Sequence, residues 1–148
     1  MTTRRTFGAT ALATGLLAAS AVVTATPAQA AACSGTSGVT VVVDFTAVGG
    51  GIQTGCAPGD PASGLAALTG AGFSYSFHSR FPGYVCKINA LPTTCTAPSG
   101  SAYWSYWHAQ HGTPWVYSTL GAGSYNPAPG DVEGWAFGAG TQPGITAP

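Results

Sequence analysis

Val39-Thr40-Val41-Val42-Val43-Asp44-Phe45-Thr46-Ala47-Val48, closed by Gly49-Gly50-Gly51, opens the part of the sequence that decides the fold. The run is rich in β-branched side chains. It reads as one buried strand, since a stretch apolar at successive positions must be covered on both faces. The glycines turn the chain, and Ile52 to Cys56 reads as a weak return strand. Asp60-Pro61 follows. Asp is a good N-cap and Pro suits the first helical position, so a helix of about ten residues is expected from here. Leu65 and Leu68 share its inner face, and Gly70 or Gly72 stops it. A helix this short holds only when packed on a sheet.

Beyond the helix the pattern is β again. Phe73-Ser74-Tyr75-Ser76-Phe77-His78 alternates aromatic and polar, as a half-buried strand does. Residues 84–89 read as another strand, with Cys86 in it, and residues 91–101 as a loop. Residues 103–108 and 115–119 are two aromatic strands joined by a loop containing Gly112 and Pro114. Pro127, Pro129 and Gly130 make a turn, and residues 132–137 form the last strand. Strand, strand, helix, then strands gives an α+β fold with a mixed or antiparallel sheet packed on one short helix.

Composition narrows the function classes. Only 5% of the 148 residues are charged, with 22 glycines and 11 prolines. There is no basic excess to meet a phosphate backbone, which argues against nucleic-acid binding. So little Glu and Lys also argues against coiled coils and helical bundles. Four Trp, six Tyr and six Phe supply a core, so the chain is not a disordered Gly/Pro segment.

Residues 1–30 read as an export signal. Arg4 and Arg5 give a positive start, a charge-free Ala/Leu/Val stretch runs from Thr10 to Thr24, and Ala28-Gln29-Ala30 is an A-x-A cleavage site. Thr3-Arg4-Arg5-Thr6-Phe7 resembles a twin-arginine signal. The general secretory route stays open, and an uncleaved anchor is the lesser alternative. The reading divides the chain into the signal at 1–30, one domain at 31–138 and a flexible tail at 139–148. Cleavage leaves Asp44, Asp60, Asp131 and Glu133 against Arg80 and Lys87, a net charge of −2. No later apolar run approaches membrane length, so the mature chain is expected to be secreted, extracellular and not membrane-spanning.

All four cysteines, Cys33, Cys56, Cys86 and Cys95, lie past the signal. An even count in a small exported domain implies disulfides. Of the three possible pairings, Cys33–Cys56 and Cys86–Cys95 are favoured, because each closes a short loop without a crossing. Zinc is disfavoured by the lack of any C-x₂-C pair. Lipidation at Cys33 is disfavoured by the three alanines before it.

Gly72-Phe73-Ser74-Tyr75 leading to Gly83-Tyr84-Val85-Cys86-Lys87-Ile88-Asn89 is similar to a segment of the transcobalamin C-terminal-like domain family, whose strand carries a V-x-x-I-N-G pattern. Ala90 stands here where that family often has Gly. Tyr103-Trp104-Ser105-Tyr106-Trp107, then Gly130-Asp131-Val132-Glu133-Gly134-Trp135, is similar to the family's Y-W-x-Y-Y and G-D-x-V-E-W patterns, with Gly134 inserted before Trp135. The chain resembles small secreted actinobacterial proteins that carry this domain alone. The resemblance spans roughly residues 39–137. It implies a β-grasp, a sheet wrapping one helix, and a role in covering one face of a corrin, although many stand-alone relatives have no established ligand.

The aromatic segment is the main candidate site. In a strand, Tyr103, Ser105 and Trp107 share one face, and Trp104, Tyr106 and His108 share the other. One helix covers only one face, so the other either packs under loops or presents rings outward. Tyr103, Trp104, Tyr106, Trp107, His108, Trp115, Tyr117 and Trp135 are the candidate ligand-binding residues; the competing reading is that the tryptophans fill a core. His108 and His111 form an H-x-x-H that lacks further ligands for a metal, so both are expected at the surface. Asp131 and Glu133 sit two apart, but Asp131 reads better as a turn residue than as an acid catalyst. No serine sits in a G-x-S-x-G elbow, and Gly49-Gly50-Gly51 lacks the phosphate-loop spacing.

The expectation is therefore a secreted, non-catalytic binding module for a small, partly flat organic ligand, cobalamin-like or other, without cofactor or metal. The alternative is a cell-envelope protein-interaction module serving a transporter, using the same rings or an exposed sheet edge.

Overall fold

The computed structural model describes residues 31–148; the export signal expected at 1–30 lies outside the described residues. Strand β1 (Val39–Asp44) is buried at every position, as its unbroken apolar run requires. It ends sooner than expected. Asp44 turns its carboxylate onto the Thr46 amide (2.9 Å) and hydroxyl (2.6 Å), and Thr46–Val48 form a 3₁₀ turn instead of continuing the strand. Strand β2 (Ile52–Ala57) returns antiparallel to β1.

Helix α1 (Gly64–Gly70) is shorter than expected and starts later, because Ser63 and not Asp60 caps it. The Ser63 hydroxyl accepts the Ala66 amide at 3.1 Å. The amides of Gly64 and Leu65 donate instead to the carbonyls of Tyr125 and Ala122 (2.9 and 3.1 Å). The first turn is thus fixed by tertiary contacts and not by a local Asp-Pro signal.

Strands β3 (Tyr75–His78) and β4 (Phe81–Ile88) form a separate two-stranded hairpin. Strands β5 (Tyr103–Ala109), β6 (Val116–Tyr117) and β7 (Val132–Gly138) join the first pair. The five-stranded sheet has the order β2-β1-β7-β5-β6. The last strand, β7, lies parallel to β1 at its centre, and the other neighbours are antiparallel. This is the expected α+β, β-grasp-like fold: a mixed sheet on one short helix. Both disulfides are present, Cys33–Cys56 and Cys86–Cys95. The first ties the N-terminal segment to β2, and the second ties the loop after β4 back to that strand.

The sheet is covered on both faces. Between sheet and helix lie Val39, Val41, Val43, Leu68, Trp104 and Trp135, among others. On the opposite face Val42, Ala109, Trp115, Val132 and Ala147 form a second cluster. Ala147 belongs to the segment expected to be a flexible tail, and that expectation is corrected. The segment crosses the sheet's second face, held by Ser105 Oγ to the Thr141 carbonyl (2.9 Å), the Gly144 amide to Asp44 Oδ2 (2.8 Å) and Trp115 Nε1 to the Ile145 carbonyl (2.6 Å). The Gly112 amide adds a bond to the Ala147 carbonyl (2.9 Å). The segment lies close on the sheet: a Cβ at Gly134 of β7, under Pro143, would come within 2.8 Å of that residue and 2.7 Å of Trp115. The folded unit therefore runs past 138 to the C-terminus. Among the described residues no helix is long and apolar enough to cross a membrane.

Candidate functional site

The alternation expected for β5 sorts its rings as a strand must, but most of them go inward. Trp104 and Tyr106 face the helix and are buried, as is Trp135 beside them on β7. Trp115 is buried on the second face under the C-terminal segment. These four do not form an exposed platform, and this part of the expectation is corrected: with few large aliphatics, the fold fills its interior with rings. Trp107 is half-buried on the second face, edge-on to Tyr117 at 5.0 Å. Tyr117 is the one ring of the eight candidates that is largely exposed, at 46%.

What the rings do form is a groove. A cleft of about 400 Å³ lies between β4, β5 and the loop after β6. Trp104, Tyr106 and Trp135 make its buried floor, Tyr84 and Tyr103 one wall, and Leu120 the exposed rim. Its lining contains no charged side chain and no histidine. Sequence alone does not single out Tyr84 or Leu120: Tyr84 reads as an ordinary strand residue, and no local pattern marks Leu120, in a loop folded back by the Ser118 Oγ bond to the Leu120 carbonyl (2.7 Å). Burial and the neighbouring Tyr103 push the Tyr84 hydroxyl's pKa up. The Tyr103 hydrogen bond and burial do the same to Tyr117. Both therefore present neutral hydroxyls.

Behind the groove floor sits a polar group that sequence reasoning misplaced. Glu133 is fully buried, and it does not form a carboxylate pair with Asp131, which serves the turn. Glu133 lies across from His108, and Tyr106 lies across from Trp135. The Tyr106 hydroxyl donates to Glu133 Oε1. Glu133 Oε2, His108 Nε2 and Trp135 Nε1 are buried without a protein partner. Burial, with a smaller push from Asp131, raises the Glu133 pKa to about 7 against the pull of the Tyr106 bond. The same burial, with Glu133 beside it, drives the Tyr106 hydroxyl's pKa far up. His108, expected at the surface, stacks flat on Tyr125 at 4.0 Å, and burial lowers its pKa. Asp131 does take the turn role: it accepts the Ala128 amide at 2.9 Å and pairs with Gln110. No group of three or more metal-ligating side chains occurs among the described residues.

A second cavity, of about 490 Å³, lies on the second face between the loop at Gly112–Trp115 and the C-terminal segment, with Trp115 as the one aromatic side chain among its lining residues.

Fold and site together define a small, disulfide-bonded, β-grasp-like domain with one ring-lined, uncharged groove. In comparisons with known proteins, a family model described as the SCO2322-like domain matches residues 96–147. The match covers β5, β6, β7 and the packed C-terminal segment. No curated protein and no solved structure matches the chain.

Proposed function

We propose that the chain is a secreted, non-catalytic binding module, and that its ligand is a small, partly flat organic molecule held in the groove over Trp104. The observation that carries this reading is the groove itself: a concave site of ligand size whose floor and walls are aromatic faces edged by neutral hydroxyls. Extracellular placement is supported by two disulfides in a small domain, which persist in oxidising compartments. The resemblance to the transcobalamin C-terminal-like family supports a β-grasp carrier, and makes cyanocobalamin the first compound to titrate.

The test is native mass spectrometry on the protein secreted by its own host. Extra mass that disappears on denaturation, and that is missing from a Thr119→Trp variant, is the expected result. Thr119 is an exposed wall residue, so an indole there fills the groove without removing a buried contact. A clean apo mass, or extra mass retained by that variant, sinks the reading. One observation favours the second reading, a cell-envelope interaction module. Val116 (59% exposed) and Tyr117 on β6, and Leu120 (52%) just after it, are exposed at an edge strand of the sheet.

A further inference from the structure

Next to the groove lies another cavity of about 400 Å³, lined by Tyr84, Pro98, Ser99, Gly100 and Tyr103. Tyr84 and Tyr103 line both cavities. The two adjoin at this pair of rings, and the second is the shallower and more open. Neither cavity is lined by a charged side chain; Arg80 and Lys87, the cations of the described residues, line neither. Hydroxyls are instead plentiful: Tyr84, Tyr103 and Tyr117 along the rings, the last two 3.3 Å apart, with Ser99 and Thr119 beside them. Added Cβ atoms at Gly83, Gly100 and Gly121 would meet nothing within 4 Å, so the chain leaves open space beside these wall positions.

Resting on the binding-module reading above, we infer that the partly flat ligand is a neutral carbohydrate, its sugar rings seated in the groove and crossing the Tyr84–Tyr103 pair into the shallower cavity. A phosphorylated or carboxylated ligand would find no counter-charge here, and burying its anion would be costly. An acyl chain would leave the hydroxyls facing hydrocarbon. A pyranose has an apolar C–H face to lay on a tyrosine ring and hydroxyls at its edge to pair with the ring's own hydroxyl and nearby backbone. A single sugar ring would fill one cavity and leave the other open, whereas a chain of sugars uses both.

The probes are cellohexaose, xylohexaose, laminarihexaose, mannohexaose and chitohexaose, titrated into the full secreted protein and followed by tryptophan fluorescence and calorimetry. At least one is expected to bind, with affinity rising from disaccharide to hexasaccharide. Molar salt should leave it unchanged, since no ion pair is involved. Tyr84→Ala is expected to weaken binding about tenfold or more, as loss of a central aromatic contact does. Thr119→Trp should interfere from within the groove, and circular dichroism confirms that both variants fold. Binding that is indifferent to both substitutions overturns the inference, as does binding without length dependence. If no hexasaccharide binds but native mass spectrometry shows another molecule lost in Thr119→Trp, the carbohydrate assignment falls and the groove reading stands. If neither occupies the groove, both fall.

Discussion

The Tyr106 hydroxyl donates to the Glu133 carboxylate beneath the sheet's covering helix, at a point where a Cβ on Gly64 would run into both groups. Helix α1 therefore begins with the residue type that lets it settle onto a tyrosine–glutamate pair. One end of that pair, Tyr106, belongs to the groove floor. The buried acid and the candidate site share a side chain.

The pH dependence of stability follows from Glu133. Its pKa rises from 4.5 to about 7 on folding, so the folded state holds this proton more tightly than the unfolded chain. Its contribution is fully present below pH 4.5, falls as pH rises toward 7 and is level above. The lowered pKa of His108 works in the opposite direction up to its ordinary value of 6.5, so the comparison must be with Glu133→Gln. Relative to that variant, wild type should lose on the order of 1 kcal/mol per pH unit across the window. Urea unfolding of both proteins at several pH values from 4 to 8 checks it; parallel curves would refute it.

The C-terminal segment behaves as structure. Truncation after Gly138 removes Ala147 from the second cluster and leaves Trp115 Nε1 and Asp44 Oδ2 without their partners. A loss of about 2–4 kcal/mol is expected from the exposed rings and unpaired polar groups. Thermal melts measure it, and limited proteolysis of the intact chain should spare residues 139–148.

Asp44 is the sharper probe of the same contact. Burial acts to raise its pKa, but the bonds from Thr46 and the Gly144 amide outweigh burial and hold the carboxyl below 3.8. Its contribution is therefore present above that value and lost as pH falls through its folded pKa. Asp44→Ala should speed hydrogen exchange at Thr46 and Gly144 together, although the two are far apart in sequence. Faster exchange at one site alone would contradict the shared anchor.

Gly134 and Ala90 make a contrasting pair. Gly134→Ala pushes a methyl into Trp115 and Pro143, and an overpacked site of this kind typically costs about 1–3 kcal/mol. Ala90 instead sits at φ 64° in the tight turn after β4, a conformation that strains a side chain and suits glycine. Ala90→Gly should raise stability by up to about 1 kcal/mol, the relieved strain being partly offset by added freedom in the unfolded chain. Melting curves of the two variants should move in opposite directions.

Local chemistry made several features readable in advance. The all-apolar β1 run had to be covered twice, the glycines had to turn it back, and alternation had to divide the β5 rings between two faces. Short loop spans selected the two disulfides, and turn chemistry placed Asp131. These follow from periods and conformational preferences within a few residues. The destination of each face lay beyond that range. Trp104 and Trp115 read alike as strand tryptophans, yet one floors a groove and the other is pinned by the C-terminal segment. Spacing alone pairs Glu133 with Asp131; β7, slotted between β1 and β5, turns Glu133 under the helix and leaves Asp131 in the turn. Ser63 outcompeted Asp60 as a cap because distant carbonyls at Ala122 and Tyr125 caught the first helical amides. The C-terminal segment looks loose in sequence because Gly and Pro carry no periodic signal; only the assembled sheet, with Val42, Ala109, Val132 and Trp115 on its second face, gives that segment something to bury. Sequence set which faces were apolar and where the chain could turn. The tertiary structure decided which partner covered each face, because burial is a property of the neighbours that arrive and not of the residue itself.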